Sequence, residues 1–192
     1  MPNLYIIAGC NGAGKTTASY TVLPEMLNCK EFVNADEIAR GLSPFQPEKV
    51  AIESGRIMLN RINDLLNQEV DFSFETTLSA KSFVNLIKEA HGKGYFITLI
   101  FFWLNSKELA IERVKTRVSE GGHNIPVDTI KKRYDAGIKN LFELYIPVCD
   151  YWLLIDSSKS PYYTIAKGEY VEKLDVININ NWNKINEQKG KK

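Results

Sequence analysis

Nine residues near the N-terminus, GCNGAGKTT from Gly9 to Thr17, combine the groups needed to hold a polyphosphate. Glycines let backbone N–H groups turn inward on phosphate oxygens, and a helix opening there adds partial positive charge. In the full GxxxxGK[ST] pattern Lys15 reaches the β- and γ-phosphates of a nucleotide, and the Thr16 hydroxyl is a ligand for magnesium. Gly9, Asn11, Gly12, Ala13, Gly14, Lys15, Thr16 and Thr17 are therefore the candidate contacts for ATP and Mg2+. Lys15 is also a candidate catalytic group. A glycine-rich turn without a ligand is the alternative; the complete pattern, placed between a strand and a helix, weighs against it.

Such a loop does not say what receives the phosphate. A hydroxyl acceptor gains from a carboxylate that takes its proton and aims it at the γ-phosphate. Asp36, in VNADEIARGLSP just past the second apolar run, stands where acceptors lie across the cleft, and is the candidate base. It could instead cap the helix EIAR. Glu75 leaves the apolar strand FSFET beside Thr76, Thr77 and Ser79. An acid emerging from a buried strand carries a desolvation cost and so points to a use. Glu75, Thr76 and Thr77 are candidate substrate contacts, with a capping or magnesium-shell role for Glu75 left open.

Cations must also meet the transferring phosphate. Arg113 and Arg117 lie four residues apart in SKELAIERVKTRVSE and share a helix face. A glycine-rich SEGGHNIP follows, then a helix with Lys131, Lys132 and Arg133. Two arginine-bearing helices joined by a flexible loop describe a lid. ERVKTR followed by TIKKRY resembles the lid of adenylate kinase and other nucleoside monophosphate kinases. That resemblance implies Arg113 near adenine, with Arg117 and Arg133 neutralising the transferring phosphate. The other reading is a solvated charged face.

Positioning these groups takes alternating strands and helices. LYIIA (4–8), EFVNA (31–35), DFSFET (71–76), YFITLIFFWL (95–104) and YWLLID (151–156) read as strands, the fourth apolar enough to be buried on both faces. Helical spacing joins them: from the glycine loop to about Leu27, from Pro47 to about Gln68, over AKSFVNLIKEAHGKG, from a Ser106 cap, and over VDTIKKRYDAGIKNLFELY. The remainder suggests a small hairpin and a short terminal helix, with 187–192 frayed. The alternation implies one α/β domain over residues 1–192, a mostly parallel sheet with helices on both faces.

Basic residues number 24 against 23 acidic ones, a net charge of +1, which argues against a nucleic-acid partner. Cys10, Cys29 and Cys149 form no CxxC pair, and an odd count suits no disulfide framework, so a reducing cytoplasm is expected. No apolar run is long enough to imply a membrane. The NKxD and DxxG motifs of a GTPase are missing, and Glu120 and Pro126 spoil an ABC-type signature in VSEGGHNIP. Asp156, ending LLID, could close a Walker B strand, but its position in the last strand favours a turn beside the nucleotide. Tyr151, Trp152, Tyr162, Tyr163 and Tyr170 read mainly as core and hairpin packing.

In sequence order GCNGAGKTT, NADEIARGLSP, FSFETTLS, GGHNIP with RY, and YIPVCDYWLLIDSS resemble the zeta-toxin family, from about Leu4 to Ser158. The resemblance implies a P-loop NTPase, with a nucleotide-kinase-like parallel sheet of order 2-3-1-4-5. It implies transfer of phosphate from ATP to the sugar 3′-hydroxyl of UDP-N-acetylglucosamine, and an antitoxin partner that blocks the ATP site. By the match Lys15 is the phosphate lysine, Asp36 the base, and Glu75 and Thr76 belong to the acceptor pocket. The family's arginine after the lid loop has no counterpart in GGHNIP, where His123 stands, and its role passes to Arg133. From another class, a nucleotide-gated switch or slow ATPase acting through a protein partner is the competing reading. Asp36 and Glu75 disfavour it, since a switch needs no acceptor pocket.

Overall fold

A computed structural model of the chain describes residues 1–170 and 173–189. Its centre is β1 (Asn3–Gly9), whose Leu4, Ile6, Ile7 and Ala8 are buried. On one side β1 pairs in parallel with β3 (Phe72–Thr76), and on the other with β4 (Phe96–Trp103). β2 (Phe32–Val33) extends the sheet beyond β3, and β5 (Tyr151–Asp156) beyond β4, both in parallel. The parallel part therefore has the order 2-3-1-4-5 of nucleotide kinases. The C-terminal hairpin, β6 (Tyr163–Glu169) and β7 (Lys173–Val176), continues the same sheet antiparallel past β5.

Helices cover both faces, which is why β4 can be apolar along nearly its whole length. They are α1 (Lys15–Thr21), α2 (Ala35–Leu42), α3 (Ala51–Gln68), α4 (Phe83–Gly92), α5 (Lys107–Ser119), α6 (Val127–Asn140) and α7 (Ile179–Lys189). α3 buries Met58, Ile62, Leu65 and Leu66 as one stripe at helical spacing. α5 begins at the expected Ser106, whose hydroxyl accepts from the Leu109 N–H at 3.2 Å. The ends of β1, β3, β4 and β5 open toward one edge of the sheet, and the loops there carry the candidate groups.

Several boundaries differ from the sequence pattern. α1 ends at Thr21 and widens into a π turn over Val22–Met26, where Pro24 has no N–H to continue the ladder. β2 is only two residues long, because Asn34 is already the cap of α2. α4 starts at Phe83 rather than Ala80; residues 77–80 form a separate loop fixed from another direction, described below. α7 continues to Lys189, so 187–189 are helical where fraying was expected, and 190–192 lie outside the described residues. Among the described residues no helix is long and apolar enough to cross a membrane.

Candidate active site

The phosphate loop closes at Gly14, which sits in the left-handed region at φ 79° as the N-cap of α1. That conformation calls for glycine; a Cβ there would also stand 2.6 Å from the hydroxyl of Tyr162, the movable tip of an exposed side chain. Lys15 is 6% exposed; its Nζ donates to the Cys10 carbonyl at 3.0 Å and stands 3.4 Å from Glu75 Oε1. Thr16 Oγ1 donates to Glu75 Oε2 at 2.7 Å, and Asn34 Nδ2 donates to the same oxygen at 3.0 Å. Glu75 is thus held by Lys15 and Thr16 at the head of α1 and by Asn34 at the head of α2. Burial pushes the neighbouring Cys10 thiol up to about 11, which keeps it from acting as a nucleophile.

Thr16 hydroxyl and Glu75 carboxylate are hard oxygen donors, the kind magnesium takes, usually in company with substrate phosphates rather than a full protein cage. Among the described residues no group of three or more His, Cys, Asp or Glu could hold a metal by itself. The donor set therefore fits an ion that arrives with nucleotide phosphates.

Asp36 is the second residue of α2, and its N–H donates to Asn34 Oδ1 at 2.9 Å. Asn34, not Asp36, is the helix cap. Its amide joins both halves of the site, capping α2 with the oxygen and steadying Glu75 with the nitrogen. The Asp36 carboxylate is left half-exposed and borders three cavities. One of about 220 Å³ runs from Lys15 and Glu75 to Thr77, Phe83 and Arg133. A second of about 250 Å³ lies between α2 and the lid loop, walled by Pro47, Ile125 and Arg133. The third, about 410 Å³, is lined by Thr16, Thr17, Arg40, Arg117 and His123.

Thr76 and Thr77 border the first cavity but have unequal freedom. The Thr76 hydroxyl accepts from the Leu78 N–H at 3.1 Å, a turn-forming bond that holds Leu78 at φ 54°. Thr77 Oγ1 shares a hydrogen with Ser79 Oγ at 2.9 Å. This loop is clamped from the end of α6 and the turn after it: Asn140 Nδ2 donates to the Leu78 carbonyl at 2.7 Å, and the Tyr145 hydroxyl, in the π turn Leu141–Tyr145, donates to the Ala80 carbonyl. Gly137 lets α6 approach so closely that a Cβ would stand 2.6 Å from the Thr77 carbonyl oxygen.

The structure brings two of the three lid arginines onto the phosphate loop. Arg113 donates to the Ser158 carbonyl at 2.9 Å and the Gly12 carbonyl at 3.4 Å. Arg133 Nη1 donates to Asn11 Oδ1 at 3.4 Å. Arg117 instead donates to the His123 carbonyl at 3.3 Å, inside its own lid loop, while facing the 410 Å³ cleft. His123 Nε2 lies 3.9 Å from Asp36 Oδ2. Burial pushes the imidazole pKa below its ordinary value; Asp36 opposes the shift, and Arg117 and Arg40 add to it. His123 is therefore a weak cation at neutral pH. Asp156 turns the chain: its Oδ1 accepts from the Ser158 N–H at 2.9 Å and its Oδ2 from Asn181 Nδ2 at 2.8 Å.

Sequence reasoning assigned no role to Asn34 or Ser158 and placed Tyr162 in the packing. Asn34 had a visible signal, an Asn just before a helical run. Ser158 had none.

A family model described as "Zeta toxin" matches residues 1–145. An uncharacterized protein of Haemophilus influenzae is 32% identical over 127 residues, covering 66% of this chain and 88% of that one. Among solved structures, a chain of the AvrRxo1-ORF1:-ORF2 complex with ATP superposes with a TM-score of 0.77 at 18% identity. The match takes in 96% of this chain and 63% of that one, so this chain spans less than two thirds of its length. A chain of the PezAT chromosomal toxin–antitoxin system of Streptococcus pneumoniae gives a TM-score of 0.63 at 14% identity, over 100% of this chain and 88% of that one. At such identities the two structures speak for the fold alone.

Proposed function

The chain belongs to the zeta-toxin family, and from that premise we propose that it is an ATP-dependent kinase of small molecules, built as one domain over residues 1–192. The observation that carries this reading is the position of Asp36: an accessible carboxylate bordering two cavities that reach the phosphate loop and a third between α2 and the lid loop. A nucleotide switch has no use for such a group.

In this reading Lys15 and the backbone of Gly12 to Thr17 hold the donor phosphates, with Gly9, Asn11 and Ala13 shaping the loop. Arg113 braces the loop on the nucleoside side. Magnesium, held by Thr16 with Glu75 behind it, would neutralise phosphate charge. Asp36 accepts the proton of the attacking hydroxyl, which needs an exposed carboxylate within reach of the cleft. Arg133 touches Asn11 of the loop and borders two of the Asp36 cavities, a position from which one guanidinium can follow the phosphate between donor and acceptor. Arg117 serves the wider cleft. Thr77, Ser79 and Phe83 give the first cavity hydroxyls and an aromatic wall suited to a sugar ring. The adjoining cavities give room for the rest of a nucleotide sugar such as UDP-N-acetylglucosamine. An antitoxin covering the ATP cleft belongs to the same proposal, on the strength of the family.

The test is transfer from γ-labelled ATP with magnesium to a panel of UDP-sugars, free amino sugars and nucleosides. Label should move to a UDP-N-acetyl sugar. Asp36→Asn should slow transfer by about 10²- to 10⁴-fold while ATP still binds. Unchanged turnover in the variant would remove Asp36 as the base. Label released only as free phosphate would remove the kinase reading.

A further inference from the structure

The family match ends at Tyr145, so α7 lies outside it. It is nonetheless firmly docked. Asn178 caps it, accepting from the Asn181 N–H at 3.1 Å, and Ile185 is fully buried. Trp182 stacks on Trp152 of β5, ring centres 6.2 Å apart, and meets Phe142, just past α6, edge-on at 5.7 Å.

The polar side of α7 reaches the phosphate loop through a chain of hydrogen bonds. Asn181 Nδ2 donates to Asp156 Oδ2 at 2.8 Å, and the other carboxylate oxygen of Asp156 accepts from the Ser158 N–H at 2.9 Å. The Ser158 carbonyl accepts from Arg113 at 2.9 Å, and Arg113 in turn donates to the Gly12 carbonyl at 3.4 Å. A second branch starts at Gln188. Its Oε1 accepts from Trp103 Nε1 at 2.9 Å and its Nε2 donates to the Asn105 carbonyl at 3.3 Å. The Asn105 N–H then donates to Ser158 Oγ at 2.9 Å. Both branches converge on Ser158, a buried residue that the loop chemistry does not otherwise use.

We propose that Asn181 and Gln188 of α7 are positioning residues for nucleotide binding, fixing the Ser158 turn so that Arg113 is held against Gly12. Ionised members at Asp156 and Arg113 make these bonds stronger than neutral ones and sensitive to geometry. An Asp156 carboxylate released by Asn181 can rotate, and the Ser158 carbonyl then no longer aims at Arg113. The inference rests on the reading that the phosphate loop binds ATP.

A chain of contacts shows coupling only when it is measured as such. The experiment titrates the full chain with a fluorescent ATP analogue and magnesium, using Asn181→Leu, Arg113→Ala, the double variant and Lys15→Ala, with melting curves alongside. Asn181→Leu keeps the side-chain volume and removes the donor. It should weaken binding by roughly 2- to 30-fold, and the double variant should bind no more weakly than Arg113→Ala alone. Losses that multiply in the double variant would overturn the proposal. So would full affinity in Asn181→Leu while Lys15→Ala has lost binding, which leaves the nucleotide reading intact. No binding by the unaltered chain would overturn that reading itself. Should Asn181→Leu fail to fold, Gln188→Met enters the same cycle, with the same non-additivity expected and additivity again decisive against it.

Discussion

The phosphate loop and the acceptor side proposed across the cleft from it are built on different principles. The phosphate loop is a run of consecutive residues shaped by its own backbone, and its lysine is 6% exposed against a single buried carboxylate. The proposed acceptor side is gathered from residues 34–36, 76–80, 123–126 and 133–145, and its key carboxylate is 50% exposed. A contiguous loop needs only correct φ angles and one or two close approaches to take its shape. A gathered site depends on how distant helices pack. The loop therefore takes its shape locally, with Arg113 and its support from α7 added from outside, while the proposed acceptor pocket depends on distant packing for its shape itself.

Arg133 tests whether the halves are separable, because it touches Asn11 on one and borders the Asp36 cavities of the other. Arg133→Ala should slow phosphoryl transfer about 10³-fold or more, in single-turnover assays, while ATP affinity changes little. Arg133→Lys should restore only a small part, since a point charge does not reproduce the guanidinium fork. A loss of ATP affinity as large as the loss of rate would make Arg133 a donor-side residue and blur the contrast.

Gly137 probes the distributed half by itself. Gly137→Ala places a methyl group 2.6 Å from the Thr77 carbonyl oxygen, so α6 and the 77–80 loop must part. Overpacking of this kind costs about 1–3 kcal/mol, and the gain in helix propensity, up to about 1 kcal/mol, offsets only part of it. A chain this size should melt about 2–8 °C lower. The acceptor KM should rise while ATP titrates as before. An unchanged acceptor KM at a lowered Tm would mean that the 77–80 loop is not part of the pocket.

The same contrast explains what could be read in advance. The phosphate loop follows from a consecutive motif and the alternation of strands and helices from periodicity, whereas the strand order 2-3-1-4-5 came with the resemblance to the zeta-toxin family; the structure has all three. Glu75 was visible as an acid at a strand end, but its partner Thr16 lies 59 positions away, and no local pattern says which neighbour a strand-end side chain meets. β2 was overestimated because Ala35 is as apolar as a strand residue, whereas the cap at Asn34 outweighs it. α7 was cut short because Gln188 and its polar neighbours look like a fraying end. Its anchors, Trp103 and Tyr134, are 85 and 54 residues distant in sequence. Periodicity reports which face of an element is apolar, not which element covers it.

The smallest expected effect concerns His123, where the lid loop meets α2. Its pKa is lowered mainly by burial, so the folded chain takes up this proton less readily than the unfolded chain does. Its contribution to stability is then fully present above the ordinary histidine value of 6.5 and is lost as pH falls from there toward the lowered value. The chain has two histidines, so a pH profile alone does not isolate this one; the difference between the unaltered chain and His123→Asn does. Between pH 7.5 and 5.5 the unaltered chain should lose more Tm than the variant. If the variant loses more, attraction between protonated His123 and Asp36, 3.9 Å apart, outweighs burial and the two arginines. The acceptor side would then be closed by a charge pair, as the donor side is by Lys15 and Glu75.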